Sequence, residues 1–492
     1  MKGQMNENTL EMAKSIILAI LVFSLAFLSV RLWLQTEPTS SLPPVLIDAE
    51  GIDLREHIPT HLFQPVSVIY HDGTGAHRLA ASEENSETAQ ILEYIVASLQ
   101  GGDIQRIWDD EGLEQILIRR QLDRPGATVL LPGPVPMNLW MKALGAGEGF
   151  PSVMMDRLYF FLTTNGMMNL YIPTAQGWYH TEWTVLDGLV GDMEPGSIFP
   201  PVWDQELGGY ETLAVTFWAS RIRQKAEEEA GEPRVLFLRW RELVLSPLLS
   251  IPEMDVEVTT YMAESVLSDA TEYVVSIFSD LAAVRQRSEP DRSTTYTDGY
   301  RSLRITTDGI LTYTLVTPPD HDIGEIPTDA GAMLREAWGF LRSVLGGRAD
   351  DLRLMQVQPT YSRGEQDADA HLDGYVFDFS QVFSGSYLVA PGGPVSVRVD
   401  EHGVRRATLT LLRPAEKVQR SLAITPISAV ERCYQQVDRD GAEPVVQRVN
   451  LVHYPSEQSR DFQIVRPAWW VDLGEAGQYL VDAVSGQIIT KQ

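Results

Sequence analysis

The feature that most constrains this chain is Ser15–Leu34, SIILAILVFSLAFLSVRLWL. As an α-helix, about 20 residues at 1.5 Å rise each span roughly 30 Å, the hydrocarbon thickness of a bilayer. Lys14 flanks the run on one side. On the other, Arg31 can snorkel to the headgroups and Trp33 can sit at the interface. The run exceeds the usual h-region of a signal peptide, and Arg31–Gln35 offers no small-residue cleavage site. An uncleaved single-pass anchor is expected. Lys2 and Lys14 precede it and no basic residue follows Arg31 until Arg55, which favours a cytoplasmic N-terminus and an extracytoplasmic body.

Ser15, Ala19, Val22, Ala26 and Ser29 step by four, three, four and three, and so share one seam of that helix. All are small or β-branched. In lipid, such residues let a second helix approach closely, and packing drives the association. The seam is the candidate partner-helix face.

Formal net charge is −28. Before the anchor, Lys2 and Lys14 cancel Glu7 and Glu11, so the whole excess belongs to the body. A body of that charge, without a basic patch interleaved with aromatics, argues against nucleic acid and anionic lipid as partners. Cys433 is the one cysteine, which excludes an intramolecular disulfide framework and cysteine-based zinc sites. At 492 residues the chain has room for three domains.

After the 1–14 tail and the 15–34 helix, the spacer 35–44 is proline-rich and polar. An N-terminal α/β domain is expected over 45–194. Pro65–Tyr70 with the turn after it starts a hairpin, Glu84–Gln100 is an amphipathic helix, and Asp156–Ile172 is a hairpin turning at Asn165-Gly166. PGSIFPP at 195–201 marks a boundary. The middle α/β domain, 195–322, holds a charged helix at Ala219–Ala230, a strand at Ala270–Asp280, and strands on either side of Asp308-Gly309 read as a type I′ hairpin. The C-terminal α/β domain, 323–492, opens with a helix at Thr328–Leu345 whose core stripe is Ala332, Leu334, Trp338, Leu341 and Leu345. Strands follow at 352–357, 375–379, 395–399 and 406–412, then a helix at Pro426–Gln435 and strands at 467–471, 478–482 and 486–489. LRITTDGILTYTLVTP (303–318) and VRVDEHGVRRATLTLLRP (397–414) match as strand, turn, strand and proline stop, which predicts a shared topology for the last two domains. The fold class is therefore α+β, a transmembrane helix followed by a three-domain mixed α/β body.

Chemistry is sparse. His57 and His61 lie at i and i+4, but Pro59 breaks the helix a zinc site would need, and the glutamate precedes the first histidine. Asp320-His321-Asp322 sits among prolines as a polar linker. Serine-hydrolase elbows, penicillin-binding motifs and phosphate loops are missing. Carboxylates are too numerous to single out a glycosidase pair. Cys433 reads as a small core residue, and Trp469-Trp470 as core rather than a sugar platform. No catalytic residue, metal site or cofactor is expected.

The opening span ending in Leu-Trp-Leu, the block Ile277-Phe-Ser-Asp280 with Val284-Arg285 and then Tyr296–Arg301, and the closing Pro467-Ala-Trp-Trp470 resemble the YycH family and its relative YycI. That resemblance implies a bitopic Gram-positive protein with a three-domain body whose last two domains are alike. It implies a non-enzymatic accessory regulator of the cell-wall sensor histidine kinase WalK, acting with a YycI-like partner through transmembrane helices and ectodomains. The alternative reading is a membrane-anchored wall hydrolase or wall-ligand binder.

Overall fold

The computed structural model describes residues 58–72, 77–80, 95, 104–107, 124–146, 150–162, 167–174, 176–184, 210–212, 244–245, 250–252, 257–265, 267, 270–278, 280–307, 309–316, 329–362, 371–384, 386–389, 395–437, 444–458 and 462–491. The Ser15–Leu34 stretch with its seam, the Ala219–Ala230 helix and the Asn165-Gly166 and Asp320–Asp322 turns lie outside these residues. So does the Glu84–Gln100 helix, apart from a helical, buried Ile95. Among the described residues no helix is long and apolar enough to cross a membrane.

The first sheet uses β1 (Ser67–Asp72), β2 (His77–Ala80), β3 (Gln105–Ile107), β4 (Pro125–Pro136), β5 (Met154–Leu162), β6 (Met167–Thr174) and β7 (Gly177–Thr184), in the order β2-β1-β4-β5-β6-β7-β3. Helix α1 (Met137–Leu144) follows Pro136 and stops at Gly145, whose φ of 82° suits glycine. Between Leu130 and Val135, β4 loses register with β5 and swings LPGP outward. A Cβ on Gly133 would stand 2.1 Å from the Met355 carbonyl oxygen, so only glycine permits this approach.

Three short strands follow, β8 (Tyr210–Thr212), β9 (Val244–Leu245) and β10 (Ser250–Pro252), then β11 (Glu257–Ser265). Next come helix α2 (Ala270–Ile277) and a meander of β12 (Arg285–Ser288), β13 (Thr294–Thr297), β14 (Arg301–Ile305) and β15 (Leu311–Leu315). Here two expectations fail. Within Ala270–Asp280, read as a strand, Ala270–Ile277 is helical. Tyr273, Val274, Ile277 and Phe278 are buried while Val275 stays 56% exposed. That two-in, two-out rhythm is the helical period, and it overrides the β-branched composition. The second hairpin is not a two-residue turn either. Ile305 pairs with Leu311, and the loop between them closes through Thr306 and Ile310, with Gly309 at φ 75°.

Helix α3 (Ala330–Leu345) begins where the Asp329 carboxylate accepts hydrogen bonds from the Gly331 and Ala332 amides. All five residues of its expected stripe are buried. After it come β16 (Leu352–Ser362), β17 (His371–Phe383), β18 (Ser386–Tyr387), β19 (Val395–Asp400) and β20 (Gly403–Leu409). The last segment holds β21 (Leu412–Leu422), α4 (Pro426–Gln436), β22 (Val445–Val446), β23 (Arg448–Gln458), β24 (Gln463–Asp472), β25 (Gln478–Asp482) and β26 (Ile488–Lys491). Thr425 caps α4 by accepting from the Ser428 amide, and Pro426 occupies the first turn, where its missing N–H costs nothing.

One unit thus recurs three times, a helix followed by a four-stranded antiparallel meander: α2 with β12–β15, α3 with β16, β17, β19 and β20, and α4 with β23–β26. The two matching hairpins of the sequence are the final hairpins of the first two units. They join through their last strands, β15 to β20, antiparallel. Leu303 faces Tyr313 in one hairpin as Val397 faces Ala407 in the other, and Tyr313 itself pairs with Ala407. The two hairpins are therefore related by a local two-fold through that pair. The result is a nine-stranded sheet with the path β12-β13-β14-β15-β20-β19-β17-β16 and β18 paired to β17. The second large sheet, β21-β11-β24-β25-β26 with β23 on β24, likewise draws β11 from before residue 322 and its other strands from after it. The expected segments 195–322 and 323–492 share both sheets, because the ladder groups of β15 and β11 find their partners across that border.

Helix α3 and the Tyr273–Phe278 face of α2 cover one side of the nine-stranded sheet, joining Leu303, Leu311, Val397, Phe377 and Phe379 in a core continuous with that of the first sheet. The edge strand β21 is exposed almost throughout, and it carries Pro414, Lys417 and two register shifts against β11. Those are devices that blunt an edge against stray strand pairing.

Candidate functional site

The most distinctive polar arrangement lies where the β4 bulge, the start of β5 and the start of β23 meet. Arg157 binds its neighbour Asp156 with both arms, Nε to Oδ1 and Nη2 to Oδ2, each at 2.9 Å. Arg448 reaches the same carboxylate from β23, Nη2 to Oδ2 at 2.9 Å, and its Nη1 donates to the Pro132 carbonyl at 2.9 Å. The Arg157 and Arg448 side chains are only 10% and 6% exposed, while Asp156 keeps 29%. Burial by itself would raise the Asp156 pKa. The two guanidiniums outweigh it and hold the carboxyl well below the usual carboxylate range. Burial, with the like charge of Arg157 beside it, pulls the Arg448 guanidinium down from its ordinary value. Arg448 Nε is buried without a hydrogen-bond partner among the described residues. Two cations on one anion, tied to main-chain carbonyls on two sheets, make a clasp that fixes the first sheet against the last. It contains no nucleophile.

Reading the chain did not single out this clasp. Its signal was an Asp-Arg pair entering the apolar strand MMDRLYFFL. Nothing local announces Arg448.

The other sequence candidates fall apart in space. His61 sits on the 3₁₀ turn Thr60–Phe63 that starts after Pro59, its ring edge-on to Trp338 at 6.0 Å between centroids. Burial, then the nearby Arg353, lowers its pKa. His57 lies outside the described residues. Among the described residues no three of His, Cys, Asp and Glu gather as a metal site. Trp469 is fully buried, its indole N–H donating to the Ile424 carbonyl at 2.9 Å, and Trp470 points to the opposite face of β24. The two therefore form no common platform.

Cys433 is fully buried on α4, and burial pushes its thiol up to about 12. The thiolate is the reactive form. Iodoacetamide at pH 8 is expected to leave the native protein unlabelled and to alkylate it fully once unfolded. Labelling of the folded chain within minutes would contradict the packing.

One further pair has the elements of a nucleophile and base: Ser386 Oγ lies in hydrogen-bond contact with His453 Nδ1. The His453 ring is enclosed by Tyr261 and Phe383, each 5.5 Å away between centroids. Burial drives its pKa down to about 4, against a hydrogen bond to the Thr259 backbone. A base poised near neutrality is what general-base chemistry needs. This imidazole is a neutral core group.

These features define a mixed, sheet-rich protein with few helices, of YycH-like fold. The crystal structure of YycH from Bacillus subtilis aligns with 87% of this chain and 96% of its own, at a TM-score of 0.53 and 11% sequence identity. A protein from Eubacterium rectale aligns with 50% of this chain at a TM-score of 0.33 and 13% identity, and the YpeB C-terminal domain from Bacillus megaterium with 42% at 0.23 and 12%. No family model and no curated protein matches the sequence.

Proposed function

We propose that this chain is a membrane-anchored, non-enzymatic regulator of a WalK-type sensor histidine kinase, working beside a YycI-like protein. The observation that carries the reading is the fold likeness to YycH over 87% of the chain. The bilayer-length run Ser15–Leu34 supplies an anchor, which puts the N-terminus in the cytoplasm and the body outside. The seam Ser15, Ala19, Val22, Ala26 and Ser29 supplies a face for a kinase helix. Coupling of about 1–3 kcal/mol, typical of allosteric effects, corresponds to a change of roughly 5–150-fold.

The test is gene deletion with complementation. Deletion is expected to change transcription of kinase-controlled wall-hydrolase genes at least several-fold, and wild type to restore it. Ala19→Leu with Ala26→Leu is expected to fail in rescue and in membrane co-purification of the kinase. Unchanged transcription on deletion defeats the reading. Cleavage of purified peptidoglycan by the full chain in detergent replaces it with a hydrolase.

A further inference from the structure

The nine-stranded sheet has a second face, opposite helices α2 and α3. On six consecutive strands, β12, β13, β14, β15, β20 and β19, two aligned positions each point that way, and Asp400 and Gly403 follow as a further pair on β19 and β20. Register fixes the aligned positions in two rows. One runs Arg287, Thr295, Arg304, Thr312, Thr408, Ser396. The other runs Arg285, Thr297, Ser302, Thr314, Arg406, Arg398. Every position in these two rows is arginine, threonine or serine, in a chain with 67 acidic residues against 39 basic, and the acidic residue just beyond them on β19, Asp400, is buried and paired with Arg405. All five arginines are exposed.

Rim carboxylates already meet three of them: Glu289 on Arg287, Asp291 on Arg304 and Asp373 on Arg398. Arg285 and Arg406 have no carboxylate in ion-pair contact among the described residues. Arg285 begins one row and Arg406 is next to its far end, four strand spacings or about 19 Å away, with hydroxyl side chains between. Arg406 also stands directly opposite Arg398 across the ladder. Like charges so placed are unfavourable unless an anion comes between them.

We infer that this open sheet face docks an acidic protein surface, whose carboxylates reach Arg285 at one end and the Arg398–Arg406 pair at the other. Guanidinium forks match carboxylates in two-point geometry, and the intervening threonines and serines both donate and accept hydrogen bonds. A compact acidic patch fits better than a long polyanion. A polymer extending past the face would meet the acidic remainder of a chain with net charge −28. The inference stands independently of the kinase reading, since the face would recognise an acidic protein whatever that protein signals.

The test uses the full chain in detergent and fluorescent poly-L-glutamate of about 20 residues as the acidic probe. Arg285→Thr with Arg406→Thr places on the face a residue type already present there and favourable in strands. The control, Lys417→Thr with Arg420→Thr on exposed β21, removes the same charge elsewhere. The wild type and the control are expected to bind alike, with affinity falling as salt rises. The face variant is expected to bind at least tenfold more weakly with an unchanged melting midpoint. The inference is overturned if the wild type does not bind, if the control loses as much as the face variant, or if poly(glycerol phosphate) of equal charge binds more tightly. It is also overturned if sedimentation shows a self-associating wild type that the face variant makes monomeric, because the occupant would then be a second copy.

Discussion

Asp156→Asn is expected to destabilise the folded chain by about 3–5 kcal/mol, the usual cost of removing one partner from a buried charge group. The substitution keeps the shape of the side chain and removes the carboxylate that touches both guanidiniums. Arg157 and Arg448, 10% and 6% exposed, would then face each other at the junction without the carboxylate that both of them bind. Arg448→Met is expected to cost less, because Asp156 keeps its two-armed contact with Arg157. The measurement is the denaturant midpoint of both variants at pH 7, and equal costs would show that the clasp is not organised around the shared carboxylate.

The same residue leaves a mark in the pH profile. The folded pKa of Asp156 lies below its unfolded value of about 3.9. Its contribution is therefore complete above that value and is lost as pH falls toward the folded pKa. His453 acts at higher pH, because its folded pKa of about 4 lies below the ordinary histidine value of about 6.5. Above about 6.5 it is neutral in both states. Between 6.5 and about 4 the unfolded chain takes up the proton first, and stability declines. Wild type is expected to lose stability in two stages, and Asp156→Asn to keep the first and show a smaller second, the remainder coming from carboxyls such as Asp482 whose hydrogen bonds also hold the pKa down.

Trp338→Ala is expected to cost about 3–5 kcal/mol, the range for truncating a buried aromatic. Trp338 is 3% exposed, near the middle of α3, and its ring meets His61 on the 3₁₀ turn of the N-terminal region. One truncation thus opens a cavity under the nine-stranded sheet and removes a contact between α3 and the first part of the chain. Trp338→Phe is expected to recover much of the loss, since it refills part of the volume. Denaturant unfolding gives both values, and protease sensitivity near Thr60–Phe63 should rise in the alanine variant first. A cost below about 1 kcal/mol would place Trp338 outside the core.

Helix α3 was legible in the sequence through its apolar stripe, and the structure adds the Asp329 cap at its start and Gly346 after its last turn. The α4 helix and the hairpins β5–β6 and β19–β20 were legible for similar reasons. Helix α2 was not, since its eight residues are rich in β-branched types and only burial against α3 and the sheet decides between the two periods. The clasp was out of reach because Asp156 and Arg448 are 292 residues apart. The arginine face was hidden for a related reason. Each arginine alone is an ordinary exposed strand residue, and only the registers of six strands align them.

By itself the sequence determined the clearest local elements, the acidic character of the body and the scarcity of catalytic motifs. It also set an expectation of a bilayer-length helix at Ser15–Leu34. The tertiary structure alone decided which strands pair, that a helix-and-meander unit recurs three times, that two hairpins join about Tyr313 and Ala407, and where the buried charges meet. The division is physical. Caps and periodicity act over a few residues, whereas pairing, register and the neutralisation of a buried charge depend on groups far apart in the chain.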